Sequence, residues 1–178
     1  MQSIGENYLL NSKKLFAYYK SLGDKAIERT SEDDLHWQYN AQSNSMAAII
    51  KHMAGNSLSR WTDFLTTDGE KEWRNRDNEF EDEHLSKAEL TAHWNKGWQC
   101  LFDAIDPLTD NDLLKKIYIR GEAHTVVEAI NRQLAHLAMH VGQIVFIAKM
   151  IAGDDWISLT IPKGKSKEFN NQKFGGVT

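Results

Sequence analysis

Two histidines, His136 and His140, lie four residues apart in a segment whose apolar residues follow a helical period. On a helix this spacing places both rings on one face, one turn apart. Gln133 precedes them in the same narrow sector, and Ile147 and Ile151 follow them. The isoleucines indicate a buried sector, where polar groups are costly unless partners satisfy them. One cation bound by both rings would satisfy them, because neutral imidazole is a ligand of zinc, nickel, copper and iron(II).

His52 is the best candidate for a third ligand. It lies in an earlier helical segment, where Asn56, Ser59 and Asp63 follow it on one side. This polar strip borders an apolar arc, so it faces either solvent or a polar seam inside the protein. The absence of lysine and arginine from the strip favours the interior. Three histidines with an open fourth position are typical of reactive rather than structural metal sites.

The spacing of His136 and His140 also has a simpler interpretation. Two histidines four residues apart are more often satisfied by capping or by water than by a metal. Leu137 stands where the H-E-x-x-H motif has its general-base glutamate, so this is not that motif. Cys100 is the single cysteine, which excludes an intrachain disulfide and a cysteine-based zinc site. Its place beside the apolar stripe of its helix indicates an ordinary packed thiol.

Four segments with helical periodicity carry these residues. We predict helices at about residues 3–30, 45–66, 86–106 and 125–152. Ser45 or Asn44, then Ser86, then Thr125 are the predicted N-caps of the last three, and Pro107 and Gly153 are predicted to end the last two. Four long helices with apolar stripes predict an all-α four-helix bundle, in which facing side chains of the core can build a site.

The segments between the helices are mostly polar. Residues 68–84 contain eight acidic and three basic residues, and we interpret this charged run as solvated surface. Residues 117–119, Ile-Tyr-Ile, predict one short strand. The tail contains Trp156 and is too apolar to stay fully solvated. We therefore expect residues 154–170 to pack against the bundle and the last few residues to be loose.

The composition bounds the class of protein. A chain of 178 residues with two prolines and six tryptophans is predicted to form one domain, residues 1–178. Its net charge of −4 provides no positive electrostatic potential that would attract a nucleic acid. We find no signal-peptide pattern and no uninterrupted apolar run of about 18 residues. We therefore expect a cytoplasmic protein without a membrane span.

Two stretches of the chain resemble the DinB/YfiT-like superfamily. His-Leu-Ala-Met-His-Val-Gly-Gln at 136–143 is similar to its fourth-helix signature, and Ile-Lys-His-Met-Ala-Gly-Asn at 50–56 is similar to its second-helix histidine motif. Ser-Arg-Trp-Thr-Asp-Phe at 59–64 and Trp-Ile-Ser-Leu-Thr-Ile-Pro at 156–162 resemble one subfamily without a settled reaction. The resemblance extends from about residue 5 to 170 and implies an up-down-down-up four-helix bundle, often a homodimer.

The resemblance also implies a metal and a chemistry. Its ligands map onto His52, His136 and His140, and the metal is usually taken to be zinc or nickel. Characterised relatives include bacillithiol S-transferases and mycothiol-dependent isomerases, in which the metal holds a low-molecular-weight thiol as thiolate. We therefore expect a metal-dependent thiol S-transferase whose partners are a small-molecule thiol, such as bacillithiol, and an electrophile.

Several other polar residues are candidates for such a site. Asn56 and Gln143 are candidate catalytic residues, and Gln143 and Gln133 could orient the ligand histidines. Arg60 and Arg132, and the pair at 74 and 76, could receive carboxylates of the thiol cofactor, although ion pairs are the simpler interpretation. A non-catalytic metal-binding protein, serving in a stress response or as a dimeric scaffold, and a metal-assisted hydrolase stay open as alternatives. The lack of a clear general base beside the histidines favours thiolate chemistry over hydrolysis.

Overall fold

The computed structural model describes residues 2–81 and 83–175, and these residues are mostly helical. The predicted all-α class is therefore confirmed, although a small hairpin is also present. In chain order the elements are α1 (Ile4–Arg29), α2 (Glu32–Leu35), α3 (Met46–Trp61), α4 (Lys87–Ile105), β1 (Lys116–Ile119), β2 (Glu122–Thr125), α5 (Val126–Ala152) and α6 (Ser166–Phe174).

Side-chain caps begin three of the long helices at the predicted residues. The hydroxyl of Ser45 accepts a backbone N–H of the first turn of α3. Ser86 with Glu89, and Thr125 with Glu128, form reciprocal capping boxes at α4 and α5. Each cap satisfies N–H groups that a helix terminus otherwise leaves unpaired. Local sequence therefore fixes where the helices that carry the histidines begin.

The long helices pack around one apolar core. α3 packs along α4 and α1 along α5, and further contacts join α3 to α5 and α1 to α4. Burying a large apolar side chain contributes roughly 1.5–3 kcal/mol. Fully buried members of this core come from all four long helices and include Phe16, Ile50, Trp94, Leu101 and Ile130. The core holds α3, with His52, beside α5, with the other two histidines.

α3 ends earlier than the sequence predicts. The pattern of apolar residues continues through Phe64 and Leu65, but the helix ends at Trp61. Thr62 is extended, and Asp63 adopts a left-handed conformation with φ 49°. This conformation turns the chain out of the helix while Phe64 stays buried in the core.

The predicted strand at 117–119 is one half of a hairpin. β1 pairs antiparallel with β2, and Arg120 and Gly121 form the two-residue turn between them with φ values of 55° and 75°. Left-handed φ at both positions is typical of a type I′ turn, and glycine adopts it without strain. The carboxylate of Asp68 accepts the N–H groups of Arg120 and Gly121, each at 2.8 Å. The hairpin is thereby fixed to the connector between α3 and α4.

The C-terminal tail packs on the helices only in part. Trp156 and Leu159 contact the core, but residues 160–175 are exposed, which corrects the expectation that the tail packs as far as residue 170. The exposed part includes α6, which has no buried residue. The predicted loose end at 176–178 lies outside the described residues.

One helical segment is long and apolar enough to cross a membrane, judged by length and composition alone. Val126–Asp155 has a mean hydropathy of 1.5 over its most apolar window, although it contains no long uninterrupted apolar run. Core helices of soluble proteins pass the same test, so a single segment of this kind is a weak indication. Its inner face joins the core, with Leu137, Val141 and Ile144 buried. A cytoplasmic location stays a prediction.

Candidate metal centre

α3 and α5 bring the three predicted histidines together. One ring nitrogen each from His52, His136 and His140 lies within 4.8 Å of the others. Nε2 of His52 is 3.1 Å from Nε2 of His136. Two nitrogens at Zn–N distances of about 2.0–2.1 Å and a tetrahedral angle would be about 3.3 Å apart. The three residues could therefore hold one metal ion.

Two hydrogen bonds set the tautomers of these rings. Nδ1 of His52 donates to Oε2 of Glu79 at 2.9 Å, and Nδ1 of His140 donates to Oε1 of Gln143 at 2.8 Å. A carboxylate or amide oxygen only accepts, so each Nδ1 carries the proton. In a neutral imidazole this leaves a lone pair on Nε2, the tautomer that a metal ligand needs.

The surroundings of His136 and His140 favour their neutral forms. Burial, with the nearby His140 and His52, lowers the pKa of His136 to about 3. Burial also lowers the pKa of His140, against the hydrogen bond to Gln143. Both rings are therefore neutral at physiological pH, as metal ligands must be. Nδ1 of His136 is buried and has no hydrogen-bond partner among the described residues.

Glu79 is held as a carboxylate beneath His52. Nε and Nη2 of Arg74 donate to its two oxygens at 2.7 and 2.9 Å. Burial by itself raises the pKa of Glu79, but the hydrogen bonds from His52 and Arg74 outweigh it and keep that pKa below its usual value. The ionised carboxylate orients the ring of His52.

The connector that carries Glu79 is not wholly solvated surface, so the interpretation of residues 68–84 was wrong at this point. Glu79 is 7% exposed and lies in a 3-10 turn, Asp77–Phe80, that packs against α3. A Cβ added at Gly55 of α3 would overlap its carboxylate, so glycine makes the close approach possible. Phe80 of the same turn stacks on His52, with ring centroids 5.0 Å apart.

A cavity of about 150 Å³ opens beside His52 and His136. The predicted residues Asn56, Arg60 and Arg132 line it, together with Gln133 and three further arginines at 74, 76 and 120. Asn56 Oδ1, Arg60 Nε and Gln133 Nε2 are buried and lack partners among the described residues. Gln133 therefore does not orient any of the three histidines, whereas Gln143 orients His140.

The positively charged arginines of this cavity repel one another. Burial, and then repulsion from Arg132 and Arg74, lowers the pKa of Arg60 to about 10. Arg60 is still a cation at neutral pH, although it is almost fully buried. The sequence predicted Arg60 and Arg132 as neighbours of the site, and the structure places both beside the histidines.

A second cavity lies beside Gln143. It has a volume of about 480 Å³ and is mostly apolar, with Trp37, Tyr39, Phe146 and Met150 in its lining. Gln143 lines this cavity and is also bonded to His140. The histidine cluster is thus flanked by a polar cavity and by an apolar one.

Cys100 lies apart from the histidines. It lines a separate cavity at α3 and α4, and its Sγ is 3.6 Å from Oγ1 of Thr62. Burial raises the pKa of the Cys100 thiol, so it is mostly protonated at neutral pH. This is the environment of a packed thiol rather than of a nucleophile.

Comparison with known proteins identifies the family. No curated protein and no solved structure matches the chain. The family described as "Protein of unknown function (DUF1572)" matches residues 3–165. This span includes the four long helices, the hairpin, the three histidines and the arginine-lined cavity. The chain therefore belongs to the DUF1572 family.

Proposed function

We propose that this protein is a metal-dependent thiol S-transferase of the DinB/YfiT-like superfamily. The motifs at 50–56 and 136–143 support the superfamily, because their histidines come from two separate helices and lie together. The pairing of α3 with α4 and of α1 with α5 supports an up-down-down-up four-helix bundle. The convergence of His52 with His136 and His140 is the observation that carries the proposal.

The three histidines would hold a divalent cation such as zinc or nickel. The fit rests on the donor set: His52 and His140 hydrogen-bond through Nδ1, which leaves Nε2 of each ring to bind a metal, and His136 is neutral. Two unprotonated nitrogens only 3.1 Å apart would repel unless a proton or a cation lay between them. A bound divalent cation lowers the pKa of a thiol at its open position, which makes the thiol nucleophilic at neutral pH.

The protein's own residues orient the partners of the reaction. Glu79 and Gln143 fix His52 and His140, and Arg74 fixes Glu79. Asn56 offers a free amide oxygen in the polar cavity, where it would position a bound thiol. The thiol proton leaves to solvent, the sulfur bonds to the electrophilic carbon, and the leaving group departs with its electron pair. The apolar cavity beside Gln143 suits the electrophile.

Metal-assisted hydrolysis is the less favoured reaction. Hydrolysis profits from a general base beside the nucleophilic water. Glu79 is the carboxylate bonded to the cluster, but Arg74 and His52 occupy both of its oxygens. Its lowered pKa also makes it a weak base. A non-catalytic metal-binding protein would use the same histidines without turnover, and only an assay separates it from the transferase.

The assay measures conjugation of bacillithiol or glutathione to a generic electrophile. We expect turnover that depends on added zinc or nickel and is lost in His52→Ala. The matched control is His93→Ala, because His93 is exposed on α4. The absence of turnover with a panel of thiols, by protein that holds its metal, would contradict the transferase and support the binding protein.

We also propose a homodimer. The resemblance implies one, and α5 exposes a set of apolar side chains, Met139, Phe146 and Met150. Exposed apolar surface of this kind is typical of interaction sites. Size-exclusion chromatography with light scattering would show a mass near twice that of the chain, and a monomer at all concentrations would contradict the proposal.

A further inference from the structure

Arginine is concentrated at one place in this molecule. Five of its six arginines line the polar cavity beside His52 and His136, and none of its lysines does. Arginine binds carboxylates and phosphates through a planar fork of N–H donors, whereas lysine offers a point charge. The choice of arginine at five positions from four separate parts of the chain indicates recognition of an oxyanion.

The charge of the cavity is not balanced by the protein. Glu79 pairs with Arg74, and Glu70 pairs with Arg120 at 3.0 Å. The remaining three guanidinium groups, those of Arg60, Arg76 and Arg132, form no ion pair with a described residue, so the lining has an excess of three positive charges. A buried cation without an ion-pair partner is costly. Arg60 is 7% exposed, and Glu70, which is bonded to Arg120, acts on it only at a distance.

Residues that line this cavity also carry buried hydrogen-bonding atoms without partners among the described residues. Nε of Arg60 and Nε2 of Gln133 are buried donors, and Nδ1 of His136 becomes a third donor when its other nitrogen binds a metal. Buried donors in native proteins almost always have partners, which here a ligand would supply. The cavity, at about 150 Å³, is below the roughly 300–1,000 Å³ that drug-sized ligands occupy.

We propose that this cavity binds the dianionic end of a small substrate, a phosphate or a dicarboxylate, between the guanidinium groups of Arg60 and Arg132. A dianion balances most of the three excess charges and fits the small volume. The inference rests on the proposed function for the position of the reacting group, because His52 and His136 line the same cavity. Binding of the anion itself needs only the arginines.

Calorimetric titration of the metal-free, full-length protein tests the proposal. The probes are inorganic phosphate, malonate as a dicarboxylate, and acetate as a monoanion. We expect saturable binding of phosphate or malonate at least about tenfold tighter than that of acetate. The tighter of the two dianions identifies a phosphate ester or a dicarboxylate as the substrate class. Repeating the titration on zinc-loaded protein shows whether the anion binds to the arginines or to the metal.

Variants assign the binding to the arginines. Arg132→Gln, at an exposed position, should weaken dianion affinity about tenfold or more, the effect of one charge-assisted hydrogen bond. Arg60→Lys keeps the charge and removes the fork, and it should have a similar effect. Arg29→Gln is the matched control, since Arg29 lies outside the cavity and bonds the carbonyl of Ile157. Circular dichroism checks folding.

Three results would overturn the inference. The first is that dianions bind no more tightly than acetate. The second is that Arg132→Gln binds them as the wild type does. The third is that only the zinc-loaded protein binds them, because the metal would then be the receptor. The first two results do not depend on whether the histidines bind a metal, which is measured separately through the metal content of His136→Ala.

Discussion

Nδ1 of His52 donates a hydrogen bond to Oε2 of Glu79, 27 residues further along the chain, at 2.9 Å. This contact joins the connector between α3 and α4 to the histidine cluster. Arg74 holds the same carboxylate from the other side, so the orientation of His52 depends on two residues outside the helices. Carboxylate partners of this kind fix the tautomer and the ring orientation of metal-ligating histidines.

Glu79→Gln should weaken metal binding. The amide keeps the shape of the side chain but loses the negative charge beside His52. We expect a loss of roughly 10–100-fold in zinc affinity, measured by competition with a chelating dye. Glu72→Gln is the control, because Glu72 is an exposed acid of the same connector. Equal zinc affinity in both variants would show that Glu79 does not contribute to metal binding.

Gly55→Ala should also weaken metal binding, without touching a histidine. Alanine normally stabilises a helix interior by roughly 0.5–1 kcal/mol relative to glycine. At Gly55 the added Cβ would overlap the carboxylate of Glu79 and displace it. Gly142→Ala on α5 is the control, because a Cβ there meets no atom within 4 Å. If Gly55→Ala were as stable as that control and kept its zinc affinity, the added Cβ would not displace the carboxylate of Glu79.

Asp68 should make the hairpin sensitive to acid. Partial burial raises its pKa, but N–H groups of Gly121, Glu70 and Arg120 outweigh this and hold the pKa below its usual 3.8. The folded state then binds fewer protons than the unfolded state. The stabilisation is therefore complete above the unfolded pKa and is lost as pH falls through the folded pKa.

Asp68→Asn tests this relationship by urea unfolding. It should lower the stability at neutral pH by roughly 1 kcal/mol and flatten the decline in stability at acid pH. Asp154→Asn, at an exposed position, should leave both unchanged. If the Asp68 variant kept the wild-type decline, the hairpin turn would not be the acid-sensitive element.

Cys100→Ser should leave metal content and thiol conjugation unchanged. The thiol lies in a separate cavity, and burial raises its pKa. The reactive sulfur in this account belongs to the substrate, so the protein needs no nucleophilic cysteine. Loss of conjugation in a folded Cys100→Ser variant would indicate a covalent enzyme intermediate instead.

The sequence predicts the parts of this molecule whose apolar and polar residues repeat with the period of a helix. The spacing of His136 and His140 places them on one helical face, and the polar strip after His52 indicates where α3 meets them. The capping residues Ser86 and Thr125 mark helix starts within one residue, because the cap is a local interaction. These features need no knowledge of distant contacts.

The residues that sequence analysis missed act across long separations. Glu79 belongs to an acidic run that is typical of solvated surface, and nothing in its neighbourhood predicts its contact with His52. β2 lacks the alternation of apolar and polar residues that marks a strand, and it forms because β1 pairs with it. α6 is missed because it buries no residue and so has no apolar stripe.

The metal content of the purified protein shows whether His52, His136 and His140 bind one ion together. Protein purified without an affinity tag, supplied with zinc or nickel and then desalted, should hold about one ion per chain by elemental analysis. His136→Ala should lose the ion, and His93→Ala should keep it. A wild-type protein that stays substoichiometric, or a His136→Ala variant that holds as much metal as the wild type, would contradict the account.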